Sequence, residues 1–381
     1  MNIQTGLPDP IDCFVALELS RSKWLVGALF PGQDKVTTTT VAGGDTAELL
    51  SVLERIANKA TDRGHSNVRL RVCFEAGYDG FWLARFLIAR GIDTTVLDAS
   101  SFLVSRRGRR VKTDRIDVEA MIFTLKAFLL GDKSVCRAVR LPTPEEEDAK
   151  RLVRERAQLV KERTRNVNRI RGLLNLHGIR SVRGLWGGEW RQWLARGRTG
   201  DGRALGPFLL NELVRQFERL RLVADHLKAL DAERAAVVAQ DVEVPGGSKI
   251  AMLKQLCGVG EGGATTMVTE IFHRQFKNRR HLASYLGLAP SHYASGDVSR
   301  DQGISKAGNQ SARVMMVELA WCWLRYQPQS ELTRWYRQRF AQKTGRSGKI
   351  GIVALARKLA IALWRFIEDG LVPTGARLKT S

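Results

Sequence analysis

The chain is short of the residues that build covalent or metal-stapled folds. Five cysteines in 381 residues (Cys13, Cys73, Cys136, Cys257 and Cys322) are odd in number and contain no CxxC pair. Such a set argues against a disulfide framework or a zinc site and reads as buried, reduced thiols of a cytoplasmic protein. Six histidines show no ligand spacing. No uninterrupted apolar run approaches the roughly 18 residues of a membrane helix, so no membrane partner is expected. The opening MNIQTGLPDPIDC lacks the basic-then-apolar order of a secretory leader. Internal repeats and a low-complexity tail are missing too. With 44% hydrophobic residues, the length suffices for two or three cored globular domains.

Acidic residues are also scarce: 39 Asp and Glu face 61 Lys and Arg, a net charge of +22 and a pI near 10.4. The excess is uneven. Residues 1–142 carry a net +4 and residues 143–381 a net +18. Holding so much like charge costs self-repulsion and points to a polyanionic partner, nucleic acid above all. Arginine predominates, which favours bidentate phosphate contacts.

The first part alternates strand and helix signals. CFVALEL (13–19) and WLVGALF (24–30) predict a hairpin, and KVTTTTV (35–41) an edge strand. A helix over 45–62, a strand over 68–76, a helix over 80–90, a strand over 94–98 and a helix over 114–130 follow. Three strands, helix, strand, helix, strand, helix is the order of a ribonuclease H-like α/β domain, here spanning residues 1–131. Beyond it, LPTPEEEDAKRL opens a long helix, with Thr143 as cap, Pro144 in the first turn and Glu146 completing a capping box. Val153, Val160, Val167 and Leu174 recur every seven residues, the spacing of a coiled coil. Nine Lys/Arg against two Glu between Lys150 and Arg171 make this rod basic, with Arg154, Lys161, Arg165 and Arg169 as candidate phosphate contacts. The helical linker is expected over 143–240, with a Gly- and Trp-rich insertion at 181–203. A mainly α domain of helices and glycine-bearing turns is expected over 248–381.

Four acids stand out. Strand alternation puts Phe14, Ala16 and Glu18 on one face of CFVALEL and Cys13, Val15, Leu17 and Leu19 on the other. A charge in so apolar a strand calls for a partner or a metal. Glu75 ends the fourth strand. In VKTDRIDVEA (111–120), Asp114 and Asp117 share a face at a helix start, where Thr113 as cap and the helix dipole would explain them equally well. If strands one and four are neighbours, all four acids approach one point. Their repulsion would be resolved by two Mg²⁺ about 4 Å apart, an arrangement suited to phosphodiester chemistry. Asp12, Asp79 and Asp98 remain rivals for individual places.

The order ALELSRSKW, CFEAGYDG, RRVKTDRIDVEA resembles the RuvC-like DEDD domain of bacterial insertion-sequence transposases of the IS-one-ten family. The resemblance continues through ERAQLVKERTRNVNRIRGLLNLHGI, similar to that family's coiled-coil linker. It extends through LGLAPSHYASGDVSRDQGISKAGNQSARVMMVELAW, similar to its C-terminal transposase domain. It implies that Glu18, Glu75, Asp114 and Asp117 bind a divalent ion, Mg²⁺ or Mn²⁺, although the first is usually aspartate. It implies that the serine of YASGD, Ser295, is the nucleophile joined to DNA. From the residues alone Ser291, Ser299, Ser305 and Ser311 compete with it. Further implications are cleavage and rejoining of DNA at element ends and target, a structured guide RNA, dimers pairing into tetramers, and a nucleoid-associated bacterial setting. A junction nuclease using the acids alone and a non-catalytic DNA-bridging protein are the alternatives.

Two further C-terminal features suggest phosphate contacts. LCGVGEGGATTMVTEI (256–271) carries a Gly-Val-Gly turn like that of a helix-hairpin-helix, with Gly258 and Gly260 exposing backbone amides. Lys306 and Arg313 flank the serine-bearing stretch, which reads as a loop between helices.

Overall fold

The structure is a computed structural model describing residues 10–65, 67–77, 80–98, 101–102, 113–180, 186–239, 247–295, 298–340 and 345–379. It falls into two compact units, Met1–Thr143 and Pro144–Ser381.

The first unit is built on a five-stranded mixed sheet. β1 (Ile11–Leu19), β2 (Lys23–Leu29) and β3 (Thr37–Ala42) form an antiparallel meander, while β4 (Val68–Glu75) and β5 (Asp93–Leu97) add in parallel beyond β1, giving the order β3-β2-β1-β4-β5. Both faces are covered, as parallel strands require. Cys13, Val15 and Leu17 pack with Leu49, Val52, Leu53 and Ile56 of α1 (Thr46–Asp62) and Leu83 and Leu87 of α2 (Trp82–Ile88). Ala16 and Cys73 pack on the other face with Val118, Met121, Ile122 and Leu125 of α3 (Asp114–Leu129). The alternation expected for CFVALEL is therefore realised. Full burial of each large apolar side chain contributes about 1.5–3 kcal/mol before entropy is counted, so both faces hold α3 and the α1–α2 pair firmly. Gly27 on β2 lets α3 sit this close, because a Cβ there would lie 2.1 Å from Val118 Cγ1.

Residues 132–143, which lie between the expected first domain (1–131) and the expected linker (143–240), belong to this unit. Asp98 N donates to Arg137 O (2.9 Å) and Val139 N to Val96 O (2.7 Å), so the strap lies along β5. Its Cys136 is buried beneath α3.

The second unit opens with two 33-residue helices, α4 (Pro144–Leu176) and α6 (Pro207–Ala239). Arg156 pairs with Asp231 (2.7 Å) and Arg169 with Glu212 (2.6 Å), so they run antiparallel. Leu174 is fully buried and Val153, Val160 and Val167 half-buried along the rod. Part of the insertion folds as α5 (Trp190–Arg196), where Trp190 stacks on Phe217 at 4.8 Å and Leu194 joins Ile170 and Leu213 in a small core. Residues 181–185 lie outside the described part.

The rest packs around α12 (Gly345–Asp369), whose Ile352, Leu355, Leu359 and Leu363 are buried against α7 (Gly247–Lys254), α8 (Glu261–Met267), α9 (Arg279–Tyr285) and α10 (Gln310–Tyr326). α11 (Glu331–Phe340) precedes it. α8 continues into one π-helical turn, Val268–Phe272. The stretch read as a loop around YASGD is instead a hairpin, β6 (Pro290–Ser295) and β7 (Val298–Ile304). Its turn residues favour a loop and hide the paired strands in the sequence. The cysteine expectation needs one correction: Cys13, Cys73 and Cys136 are buried, but Cys257 is half-buried and Cys322 exposed. Burial pushes the Cys13 thiol up to about 12, which keeps it unreactive.

Candidate active site

β1 and β4 run parallel in the register Ala16↔Cys73 and Leu17↔Phe74, so the next residues, Glu18 and Glu75, end neighbouring strands side by side. By alternation both follow Ala16 and Cys73 onto the α3 face. α3 is seated there by its apolar residues and by the Cys73 thiol, which donates to Met121 O (3.8 Å). This brings the helix start, with Asp114 and Asp117, to the sheet's carboxyl edge, where open α/β sheets place their ligand sites. Glu18 and Asp117 are half-buried; Glu75 and Asp114 are exposed. Asp12 sits at the other end of β1, where burial would raise its pKa but Arg69 (2.6 Å) and Arg71 (3.0 Å) hold it low. Asp98 follows β5 at the carboxyl edge, and Asp79 lies outside the described residues.

The capping reading of the helix start is also realised, since Thr113 Oγ1 accepts from Ile116 N at 3.4 Å. In addition, Lys23 at the start of β2 places its Nζ 3.2 Å from Asp114 Oδ2. The donor chemistry suits a hard divalent cation, four carboxylates at one corner. Among the described residues, however, no three His, Cys, Asp or Glu side chains are close enough together to hold a metal. The acids thus lie along one edge without forming a ready cage, and Asp114 is paired with Lys23.

In the second unit Ser295 is the last residue of β6, paired with Val298; Gly296 and Asp297 lie outside the described residues. Ser299 Oγ lies 3.2 Å from His292 Nε2, a serine–histidine contact that the sequence did not reveal. Both feet of the hairpin are tied to the end of α9: Ser305 N donates to Ala289 O (2.9 Å) and Lys306 N to Gly287 O (3.1 Å). Lys306 is exposed and takes a left-handed φ of 56°. Arg313 turns inward, its Nη1 donating to Leu286 O at 3.2 Å. Gly258 has φ 85° in the turn after α7, and Gly260 precedes α8.

The rod's cations divide into two kinds. Arg154 makes a two-pronged pair with the fully buried Glu270, Nε to Oε1 at 2.9 Å and Nη2 to Oε2 at 3.3 Å. Arg169 is held by Glu212. All four side chains are exposed, but Lys161 and Arg165 form no ion pair among the described residues. Arg165 and Arg169 line a groove of about 510 Å³ with Asn166, Gln216 and Arg219. Sequence reasoning missed Lys23, Arg219 and Glu270. The last had a signal of the same kind as Glu18, a lone charge in the apolar run ATTMVTEIF.

Comparison with known proteins now gives the chain its place. Residues 23–179 match the profile of the DEDD-type IS110 transposase domain, and residues 250–334 match the profile described as Transposase IS116/IS110/IS902 family. The chain is 44% identical over 378 residues to a putative transposase, y4rJ, of Sinorhizobium fredii, covering 96% of this chain and 94% of the relative. It is 28% identical over 263 residues to the transposase for insertion sequence element IS1111A of Coxiella burnetii, covering 67% and 66%. A second Sinorhizobium fredii relative, described as putative transposase y4qE, is 28% identical over 326 residues, covering 78% of this chain and 75% of the relative. The two halves together are those of a DNA-cleaving transposase. The chain belongs to the IS116/IS110/IS902 family. Glu75, Asp114 and Asp117 fall within the first matched segment and Ser295 within the second, while Glu18 precedes the first. No helix among the described residues is long and apolar enough to cross a membrane.

Proposed function

We propose that the chain cuts and rejoins DNA at the ends of its element and at a target, using the acids of a ribonuclease H-like first unit and Ser295 of the second. The observation that carries this reading is the meeting of Glu18, Glu75 and the start of α3 at one sheet edge, in a chain whose two halves both match transposase profiles. A divalent ion bound by these carboxylates, Mg²⁺ or Mn²⁺, would activate the attacking hydroxyl and stabilise the departing oxygen. For the acids to gather, Asp114 must exchange its Lys23 partner.

In the proposed step Ser295 Oγ forms a bond to phosphorus as one phosphorus–oxygen bond to deoxyribose breaks. The serine proton leaves and the departing sugar oxygen gains one, so the step is redox-neutral and its phosphodiester energy is kept for rejoining. The strong positive charge beyond residue 142 serves DNA and a structured guide RNA, with Lys161, Arg165, Lys306 and the amides around Gly258 and Gly260 as phosphate contacts. The α4–α6 rod, a coiled coil in this reading, is the element through which dimers form and pair into tetramers in a nucleoid-associated, cytoplasmic setting. Family membership does not favour the junction-nuclease or non-catalytic alternatives.

Incubation with element-end DNA, the transcript of the non-coding segment beside the gene, and Mg²⁺ should trap a denaturant-resistant protein–DNA adduct. Ser295→Ala should lose it while still assembling on DNA. A nucleotide mapped to Ser299, Ser305 or Ser311 would move the nucleophile, and cleavage without any adduct would sink the serine chemistry.

A further inference from the structure

Glu270 is the least expected charge in the second unit. It is 0% exposed, in the π-helical turn that follows α8. π-turns occur preferentially at functional positions, and a buried carboxylate persists only when its oxygens are paired. Here every partner comes from a different element. Arg154 of α4 bonds both oxygens. Asn309, which follows GISKAG, donates Nδ2 to Oε2 at 2.8 Å and to the Glu270 carbonyl at 3.2 Å. Tyr285 at the end of α9 donates its hydroxyl to the same carbonyl at 2.8 Å. Burial alone would raise the Glu270 pKa, but the bonds from Arg154 and Asn309 and the charges of Arg154 and Lys150 hold it below the ordinary carboxylate range.

The partners of Glu270 are also the foundations of the β6–β7 hairpin. Asn309 N donates to Tyr285 O (2.8 Å), and Asn309 Oδ1 caps α10 by accepting from Ala312 N (3.1 Å). Gly308, at φ 89°, lies so close that a Cβ would stand 2.3 Å from Tyr285 O. Together with the Ser305 and Lys306 backbone bonds, these contacts fix where both strands of the hairpin leave the body of the unit. The chain from coil to hairpin is therefore continuous: Arg154, Glu270, Asn309 and Tyr285, then the hairpin feet.

We propose that Glu270 is a positioning residue that ties the base of the Ser295 hairpin to helix α4, so that the direction of the basic rod sets the placement of the serine. A structural role alone explains the network poorly. Replacement of a buried ion pair by apolar residues of similar volume is often neutral or stabilising, whereas a fully satisfied polar network specifies one geometry. The proposal rests on Ser295 being the nucleophile, and its test separates the two.

Glu270→Gln keeps the shape but loses the charge facing Arg154 and Asn309. Asn309→Asp keeps the cap of α10 but sets a carboxylate against Glu270. The double exchange, Glu270→Gln with Asn309→Asp, restores the side-chain amide–carboxylate pair with a negative group near Arg154, but not the bond to the residue 270 carbonyl. Each single variant is expected to slow formation of the Ser295 adduct at saturating DNA by on the order of tenfold to a hundredfold, the scale of a small misplacement of a reacting group. DNA affinity should stay within about twofold, and the exchange should recover part of the rate. Amide hydrogen exchange of the full chain without DNA provides a readout independent of activity. Both single variants should speed exchange in 289–305 while leaving α12 unchanged, and the double exchange should restore part of the protection. If wild-type protein forms no Ser295 adduct, the serine reading fails and hairpin protection alone decides the positioning role. Unchanged hairpin protection in both single variants, or equal slowing in the double exchange, would overturn the proposal.

Discussion

Lys23 Nζ stands 3.2 Å from Asp114 Oδ2, joining the start of β2 to the start of α3 at the corner where Glu18 and Glu75 end their strands. An ammonium there neutralises one of the four acids and, in the proposed mechanism, competes with the cation they would bind. Both side chains are more than half exposed, so the competition is modest, of the order of an exposed ion pair at about 0.2–1 kcal/mol. Lys23→Met should therefore tighten Mn²⁺ binding, measured calorimetrically on the full chain, by roughly twofold to fivefold. Weaker binding in the variant would mean that Lys23 helps to build the site.

The acids themselves should separate chemistry from folding. Glu75 and Asp114 are exposed, so Glu75→Gln and Asp114→Asn remove little packing. Each should reduce strand cleavage by at least on the order of a hundredfold, the upper end of what even outer-sphere metal partners cost. Thermal unfolding and DNA affinity should remain close to wild type. Undiminished cleavage by both variants, or in excess EDTA, would remove the metal site from the mechanism.

The rod should divide as its contacts do. Lys161→Glu and Arg165→Glu, at exposed positions, should weaken nucleic-acid binding and lower its salt dependence by about 0.9 per lost phosphate contact. Arg154→Glu instead removes the guanidinium that pairs with the buried Glu270; breaking a buried pair costs about 3–5 kcal/mol, and less here because the Arg154 side chain is 60% exposed and Asn309 still bonds the carboxylate. It should lower the thermal midpoint steeply. The opposite pattern, a stable Arg154→Glu protein with a reduced salt slope, would return Arg154 to the phosphate-contacting face.

Acid titration offers a separate check on Glu270. Its carboxyl titrates below the ordinary value of 4.5 in the folded protein. The stabilisation it gives is therefore complete above about pH 4.5 and fades as pH falls through the lower folded value. Glu270→Gln should be less stable than wild type at pH 7, and the gap measured by urea unfolding should narrow as pH is lowered. A gap independent of pH would mean that the stabilisation comes from shape rather than charge.

The sequence revealed most where local pattern and burial agree. Alternation in CFVALEL placed Glu18 on the face later found under α3, and the apolar periodicity located β1 to β5 and α1 to α3 to within about two residues. Pairings that depend on distant partners were not legible. The β6–β7 hairpin has turn-rich composition and no apolar alternation, so nothing local marks its strands. Arg154 looks like its neighbours Lys161 and Arg165 until the fold brings Glu270 against it. Residues 132–143 lack strand signals because they lie beside β5 through only a few backbone bonds.

Gly27 makes the position of the acidic corner testable through packing alone. It lies on the face of β2 beneath α3, between Leu25 and Leu29, and a Cβ there would lie 2.1 Å from Val118 Cγ1 and 3.2 Å from Val36 Cγ1. Val118 is fully buried one residue after Asp117, so a new methyl must displace either its side chain or the start of α3. Overpacking of this kind costs typically about 1–3 kcal/mol. Gly27→Ala should lower stability by that amount and, by displacing Asp114 and Asp117 from the sheet edge, weaken Mn²⁺ binding as well. Gly27→Ala with Val118→Ala removes the clashing atom, and Mn²⁺ affinity should recover even though the lost packing keeps stability low. Mn²⁺ affinity unchanged in Gly27→Ala despite the lost stability would show that the acids do not depend on how closely α3 rests on the sheet.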